Sequence, residues 1–166
     1  PDRVQVVSKQ AVRQAAKADL SAAMQAAVAG DCASVWPSWK NAKRHVPFRE
    51  AWHESNEPRV KTALARCLAE RSESAEDQQT QVADLVSARR WDHRDEAVTD
   101  RARPLAAELD ELGDALWAED DVEQAYDAFS AAMALDPRLS QTRRKAEDVR
   151  DLRLKIVRPG NKKKRK

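Results

Sequence analysis

Apolar residues recur at intervals of three and four along most of the chain, and this spacing predicts helices with one buried face. The first stripe comprises Val12, Ala16, Leu20, Ala23, Met24 and Ala27. It predicts a helix that begins after Ser8 and ends at the turn signal Gly30-Asp31. A second stripe comprises Val60, Ala63, Leu64, Cys67 and Leu68. It predicts a buried helix face near the middle of the chain.

Prolines divide the remaining pattern into shorter predicted helices. Ser55 or Asn56 is expected to cap a helix that has Pro58 in its first turn, where a missing N–H costs least. Pro104 is expected to open another helix, after a shorter one over residues 91–103. Because every predicted element is helical, the sequence predicts an all-α fold.

Residues 106–139 carry a more specific pattern. The key positions in order are Leu109, Leu112, Gly113, Leu116, Ala125, Phe129, Ala132 and Pro137. This register resembles one complete tetratricopeptide repeat (TPR), although Leu109 and Leu116 stand where the family prefers Trp and Tyr. Gly113 would let the two helices of the hairpin approach closely, and Phe129 would fill the space between them.

The TPR resemblance implies antiparallel helical hairpins stacked as a short solenoid or a compact bundle. Residues 8–103 are interpreted as degenerate hairpins, since Trp39 stands where the repeat has Phe and Pro37 interrupts the second helix. Residues 140–157 are expected to form a C-terminal capping helix with charged outer faces. The whole of 1–157 is thus predicted to be a single helical-repeat domain.

Charge adds one candidate feature to this picture. The formal net charge is only +2, and much of the basic excess lies in a predicted disordered tail over 158–166. The basic residues of the tail are Lys162, Lys163, Lys164, Arg165 and Lys166. Such a tail could give weak, salt-sensitive attachment to nucleic acid or anionic lipid. The sequence contains no apolar run long enough to span a membrane, and it leaves the compartment open. Since the chain starts at Pro1, a removed leader and an accessory domain of a larger enzyme both stay open.

Residues that could carry catalysis are scattered. His45, His53 and His93 are far apart, and none has a Cys or carboxylate at metal-ligand spacing. Three scattered glycines provide no phosphate-binding loop. The sequence therefore favours a non-enzymatic protein without a metal or a cofactor.

The two cysteines, Cys32 and Cys67, allow two interpretations. They could form a disulfide, but Cys67 lies on the apolar stripe described above, where a free thiol acts as a small hydrophobe. The pattern favours the buried thiol, and the pairing stays open.

The TPR resemblance also implies a binding surface, because the first helix of each repeat lines the concave face in that family. By this resemblance the partner-binding residues are Asp110, Asp114, Trp117, Arg144 and Asp148. The acidic groups favour a partner protein with a basic or mixed-charge surface, and Trp117 is the expected hot spot. The alternative is that these are ordinary solvated helix residues.

Overall fold

The computed structural model describes residues 9–157, which form seven helices. They are α1 (Lys9–Val28), α2 (Cys32–His45), α3 (Glu50–Glu73), α4 (Gln78–Trp91), α5 (Glu96–Ala118), α6 (Val122–Leu135) and α7 (Ser140–Val157). No strand occurs within this range, so the all-α prediction is confirmed. The chain groups into two compact units, divided between Val98 and Thr99, and each is described separately below. The assignment of 1–157 to one domain stays a prediction.

In the first unit, α1 and α2 form an antiparallel pair joined by a tight turn. Gly30 adopts φ +78°, the left-handed conformation that glycine adopts without steric cost. Asp31 donates its N–H to the carbonyl of Ala26 at 2.9 Å, which closes the end of α1 in a Schellman motif. The Asp31 carboxylate then accepts the N–H of Ser34 and caps α2. The predicted turn is therefore confirmed.

Polar contacts join α3 to α4 along their length. Arg71 donates from Nε to Asp84 Oδ2 at 2.7 Å, where the Asp84 side chain is nearly buried. At the other end, Thr62 donates to Asp92 at the C-terminal end of α4. Since later residues of α3 meet earlier residues of α4, the two helices are antiparallel.

A disulfide joins the two helix pairs of the first unit. Cys32, the first residue of α2, bonds to Cys67 in α3, and their Cα atoms are 5.7 Å apart. The preference for a buried free thiol was wrong. Cys67 is indeed buried, at 2% exposure, as its stripe predicts. The apolar stripe placed Cys67 correctly, but the pairing depends on the contact between α2 and α3, which spacing along one helix does not report.

Pro58 and Pro104 lie inside helices rather than at their starts. α3 begins at Glu50 and continues through Pro58, and α5 begins at Glu96 and continues through Pro104. The predicted caps at Ser55 and Asn56 and the predicted break at Pro104 were therefore wrong. Asn56 is buried within the helix, and its side chain donates to the Trp52 carbonyl at 2.8 Å.

The second helices of three consecutive helix pairs, α1–α2, α3–α4 and α5–α6, have their caps and buried residues at the same positions. α2, α4 and α6 each contain 14 residues, and their starts are 46 and 44 residues apart. Each is capped by an aspartate that accepts the N–H three residues later, namely Asp31, Asp77 and Asp121. The eighth residues, Trp39, Leu85 and Phe129, are 0%, 3% and 0% exposed. The eleventh residues, Ala42, Ala88 and Ala132, are fully buried. The three helices thus have the same length, the same type of cap and the same buried positions, although their sequences differ.

In the second unit, the core lies where α5, α6 and α7 meet. A Cβ placed on Gly113 would lie 2.5 Å from the Phe129 ring, so α5 and α6 approach as closely as the sequence predicted. Phe129 and Ala125 pack in one cluster with Ala146 and Val149 of α7. The helix predicted over 140–157 is present, although Leu152 on it is 38% exposed.

Two predicted features lie outside the described residues. These are Ser8, expected to cap the first helix, and the basic tail with Lys162, Lys163, Lys164, Arg165 and Lys166. Within residues 9–157, every helix is too short or too polar to cross a membrane.

Candidate functional site

The predicted partner-binding residues lie on α5 and α7 of the second unit. Asp110 and Asp114 are one turn apart on α5, and Arg144 and Asp148 are one turn apart on α7. Trp117 follows Asp114 near the end of α5. We name these five residues the α5–α7 surface.

Lys145 joins the two helices at the centre of this surface. Its Nζ lies 3.2 Å from both oxygens of Asp110 and 2.6 Å from Asp114 Oδ2. The ammonium also lies 5.5 Å from the centre of the Phe129 ring. Burial disfavours the charged form, but the hydrogen bonds to Asp114 and Asp110 outweigh it and raise the pKa of Lys145 above its ordinary value.

The Lys145 contacts change the charge predicted for this surface. The two carboxylates of α5 share one ammonium, so they present less negative charge than the sequence alone suggests. Lys145 was not among the predicted binding residues, because three basic residues, Arg143, Arg144 and Lys145, follow one another. One signal was present, since Lys145 precedes buried Val149 by four residues and so lies near the inner face of α7.

Trp117 contributes to the core as well as to the surface. It is half-buried, and its ring meets the Phe129 ring edge-on, with centroids 6.3 Å apart. It was predicted to point into an open groove, but part of its area is already used in packing against Phe129. Its role as a binding hot spot stays a prediction.

Arg144 and Asp148 are exposed on α7. A third charged contact lies further along the same helix, where Arg153 pairs with Glu123 of α6 at 2.6 Å and lies over the Tyr126 ring. The outer part of α7 therefore carries charges of both signs. The structure brings Asp110 and Asp114 together through Lys145 and leaves Arg144 and Asp148 open to solvent.

Histidines were the other candidate chemical groups. His45 Nε2 lies 3.1 Å from Asp19 Oδ2 in an exposed pair that connects α2 to α1. His53 packs edge-on against Trp39 and Trp52. Across residues 9–157, no three His, Cys, Asp or Glu side chains cluster closely enough to hold a metal ion.

No protein-family model, curated protein or solved structure matches this chain.

Proposed function

We propose that this chain is a non-enzymatic helical-repeat scaffold of TPR-like character that binds another protein. The observation that carries the proposal is the shared register of α2, α4 and α6. Each begins at an aspartate cap, places a large apolar residue eighth and places a buried alanine eleventh. Repeated helix pairs of this kind present extended surfaces whose side chains vary while the packing positions are retained.

The pairs are longer than the repeat that they resemble. The starts of the second helices are 46 and 44 residues apart, whereas a tetratricopeptide repeat spans about 34 residues. The extra length lies in the first helices, which contain 20, 24 and 23 residues. The likeness to the family is therefore strongest in the second helices and weakest in the first.

Within this proposal, the α5–α7 surface is the binding site, and its partner carries mixed charge. Lys145 offsets Asp110 and Asp114, while Arg144 and Asp148 offer one charge of each sign to solvent. Complementary charges at such a surface select the partner and its orientation more than they set the affinity. A strongly basic partner is less favoured than the sequence alone suggested.

The proposal is tested by a charge swap that leaves the net charge unchanged. In the test variant, Arg144→Asp is combined with Asp148→Arg. The control is the same swap on the same helix, Arg150→Asp with Asp151→Arg, at two residues that are also exposed. Immobilised wild-type protein and both variants are incubated with lysate of the source cells, and the bound proteins are quantified by mass spectrometry.

The expected result is a protein that the wild type and the Arg150/Asp151 control retain equally and that the Arg144/Asp148 variant loses. Circular dichroism should show equal helicity and melting for all three proteins, because the substituted side chains lie outside the core. If both variants retained this protein equally, the binding interface would not include Arg144 and Asp148 of α7. Failure to enrich any protein over the empty matrix would contradict the scaffold proposal itself.

A further inference from the structure

A groove on the first unit combines an apolar floor with a cationic rim. It lies between the start of α1 and the segment that joins α2 to α3, and it encloses about 410 Å³. This volume is within the range of about 300–1,000 Å³ that ligand-binding clefts occupy. Val46 in the groove is buried and Val12 is half-buried. We name this feature the basic groove.

The apolar part of the basic groove includes one side chain that packing does not explain. Phe48 is 96% exposed, whereas the only other phenylalanine, Phe129, is fully buried. A phenylalanine held in water forgoes about 1.5–3 kcal/mol that burial would provide. Pro47 precedes it in the segment that joins α2 to α3, and both residues line the groove.

The rim of the groove carries charge of one sign. Lys9 and Arg13, one turn apart on α1, and Arg49, just before α3, are exposed at its edge. His45 also lines it and is engaged by Asp19. None of the described residues that line the groove is acidic. The three cations therefore act in the same direction on any charged group that enters.

We propose that the basic groove binds an acidic segment of a partner protein, with an apolar side chain of that segment packed against Phe48. Carboxylates of the segment would pair with Arg13 and Arg49, since guanidinium groups match carboxylates in geometry. The apolar side chain would cover Phe48 and extend toward Val12. This site is separate from the α5–α7 surface and does not depend on it.

The shape of the groove favours a peptide over other anionic partners. A flat membrane surface would reach the exposed Phe48 ring but not the half-buried Val12 below the rim, whereas a peptide side chain can enter the groove and contact both. Single-stranded nucleic acid stacks successive bases on several aromatic side chains, whereas Phe48 is the one Phe, Tyr or Trp among the described residues that line this groove. A short acidic segment uses both the rim and the floor.

The test measures binding of a fluorescein-labelled probe peptide in which glutamates flank a central Leu-Phe pair. Fluorescence anisotropy gives the dissociation constant for the full chain. The comparison probe replaces every glutamate by glutamine. We expect the acidic probe to bind and the neutral probe to bind at least about tenfold more weakly. Affinity for the acidic probe should also fall as salt is added, since surface charges are screened beyond about 8 Å at physiological ionic strength.

Three variants assign the binding to the groove. Arg13→Glu combined with Arg49→Glu should weaken binding at least about tenfold. Phe48→Ala should weaken it about tenfold, because the apolar contact is lost. Lys40→Glu combined with Arg150→Glu makes the same change in net charge at exposed residues outside the groove and should leave affinity within about twofold.

Several results would overturn the proposal. One is that the acidic probe does not bind. Another is that the neutral probe binds as tightly as the acidic probe. A third is that the Lys40/Arg150 control weakens binding as much as the Arg13/Arg49 variant does. Vesicles of phosphatidylcholine and phosphatidylserine, and an oligothymidine strand, serve as competitors. If either bound more tightly than the probe and lost affinity in the Arg13/Arg49 variant, the groove would belong to that class of ligand instead.

Discussion

Gly113 is a residue at which the packing of the second unit leaves no room for a side chain. A methyl group there would meet the Phe129 ring at 2.5 Å, and Phe129 is fully buried. Alanine gains about 1 kcal/mol of helix propensity over glycine, whereas overpacking a core costs about 1–3 kcal/mol. The two effects leave a net loss of about 0–2 kcal/mol, and we expect Gly113→Ala to lower the free energy of unfolding by about 1 kcal/mol, measured by urea denaturation.

Two further variants show whether contact with the Phe129 ring causes the loss of stability in Gly113→Ala. Glu111→Ala, at an exposed position of the same helix, should change stability by no more than about 0.5 kcal/mol. Gly113→Ala combined with Phe129→Leu should recover part of the loss, because leucine occupies the equivalent position in α4 at Leu85. A Gly113→Ala variant that is more stable than the wild type would disprove the close approach of α5 and α6.

Glu57 makes the stability of the first unit depend on pH. It pairs with Lys61 at 2.8 Å and with Lys43 of α2 at 2.9 Å. The hydrogen bonds from Lys61 and then Lys43 outweigh the effect of burial and lower the pKa of Glu57 from 4.5 to about 2. Because the pKa is lowered in the folded state, this contribution is complete above about pH 4.5 and is lost as the pH falls toward about 2.

Glu57→Gln should therefore lower the free energy of unfolding at neutral pH, by on the order of 1 kcal/mol once solvent screening is included. The difference from wild type should shrink below about pH 4.5 and disappear near about pH 2. Urea denaturation of both proteins across this range measures it. The control is Glu54→Gln, at an exposed residue of the same helix. A difference that stays constant with pH would show that the Glu57 carboxylate is not the cause.

At the residue scale, the sequence predicted which positions pack but not which charges meet. Gly113 and Phe129 were identifiable because their register has a known packing logic. Lys145 was not predicted, since Arg143, Arg144 and Lys145 carry the same charge, and its four-residue spacing from Val149 was the one signal that distinguished it. The charge of the α5–α7 surface was therefore predicted less well than its location.

At the element scale, the turn between α1 and α2 and the turn between α5 and α6 have the same backbone geometry but different residues. Gly30 and Asp120 both end a helix in the left-handed conformation, at φ +78° and +61°. In both turns the next residue donates to a carbonyl five residues earlier at 2.9 Å and then caps the following helix. Only glycine adopts this conformation without steric cost, so Asp120 is under local strain.

Asp120→Gly should accordingly stabilise the chain by about 0.5 kcal/mol, the relief of strain exceeding the added freedom of the unfolded chain. Gly30→Ala should destabilise it by about 1 kcal/mol. No atom lies within 4 Å of the added methyl group, so the effect would come from the backbone alone. Thermal melting of the two variants should show shifts of opposite sign. Shifts of the same sign would contradict the equivalence of the two turns.

The helix end marked by Gly30-Asp31 was predicted correctly, whereas the helix starts placed at Pro58 and Pro104 were wrong. Proline removes one backbone hydrogen bond, which is a local cost. Val98 and Ala102 lie in the turns before Pro104, and both are fully buried. Burial of that face stabilises the helix upstream of the proline enough to outweigh the local cost. Such burial depends on neighbouring helices, so local spacing could not reveal it.

At the scale of the whole molecule, the disulfide is confined to the first of the two units. Cys32 and Cys67 enclose a loop set by a sequence separation of 35 residues. Closing a loop of that length stabilises a fold by about 3–4 kcal/mol, chiefly by restricting the unfolded chain. The bond forms only where the surroundings are oxidising, so the stability of this unit depends on the redox conditions of its compartment.

Hydrogen exchange with and without reductant tests whether the stabilising effect of the disulfide is confined to the first unit. Reduction should speed amide exchange in α1 to α4, within the unit that ends at Val98, and leave α6 and α7 unchanged. The control is Cys32→Ser combined with Cys67→Ser, whose exchange should not respond to reductant. Equal acceleration in α6 and α7 would mean that the two units unfold together. No acceleration in α1 to α4, once mass measurement shows that both thiols are reduced, would mean that the disulfide does not stabilise this unit.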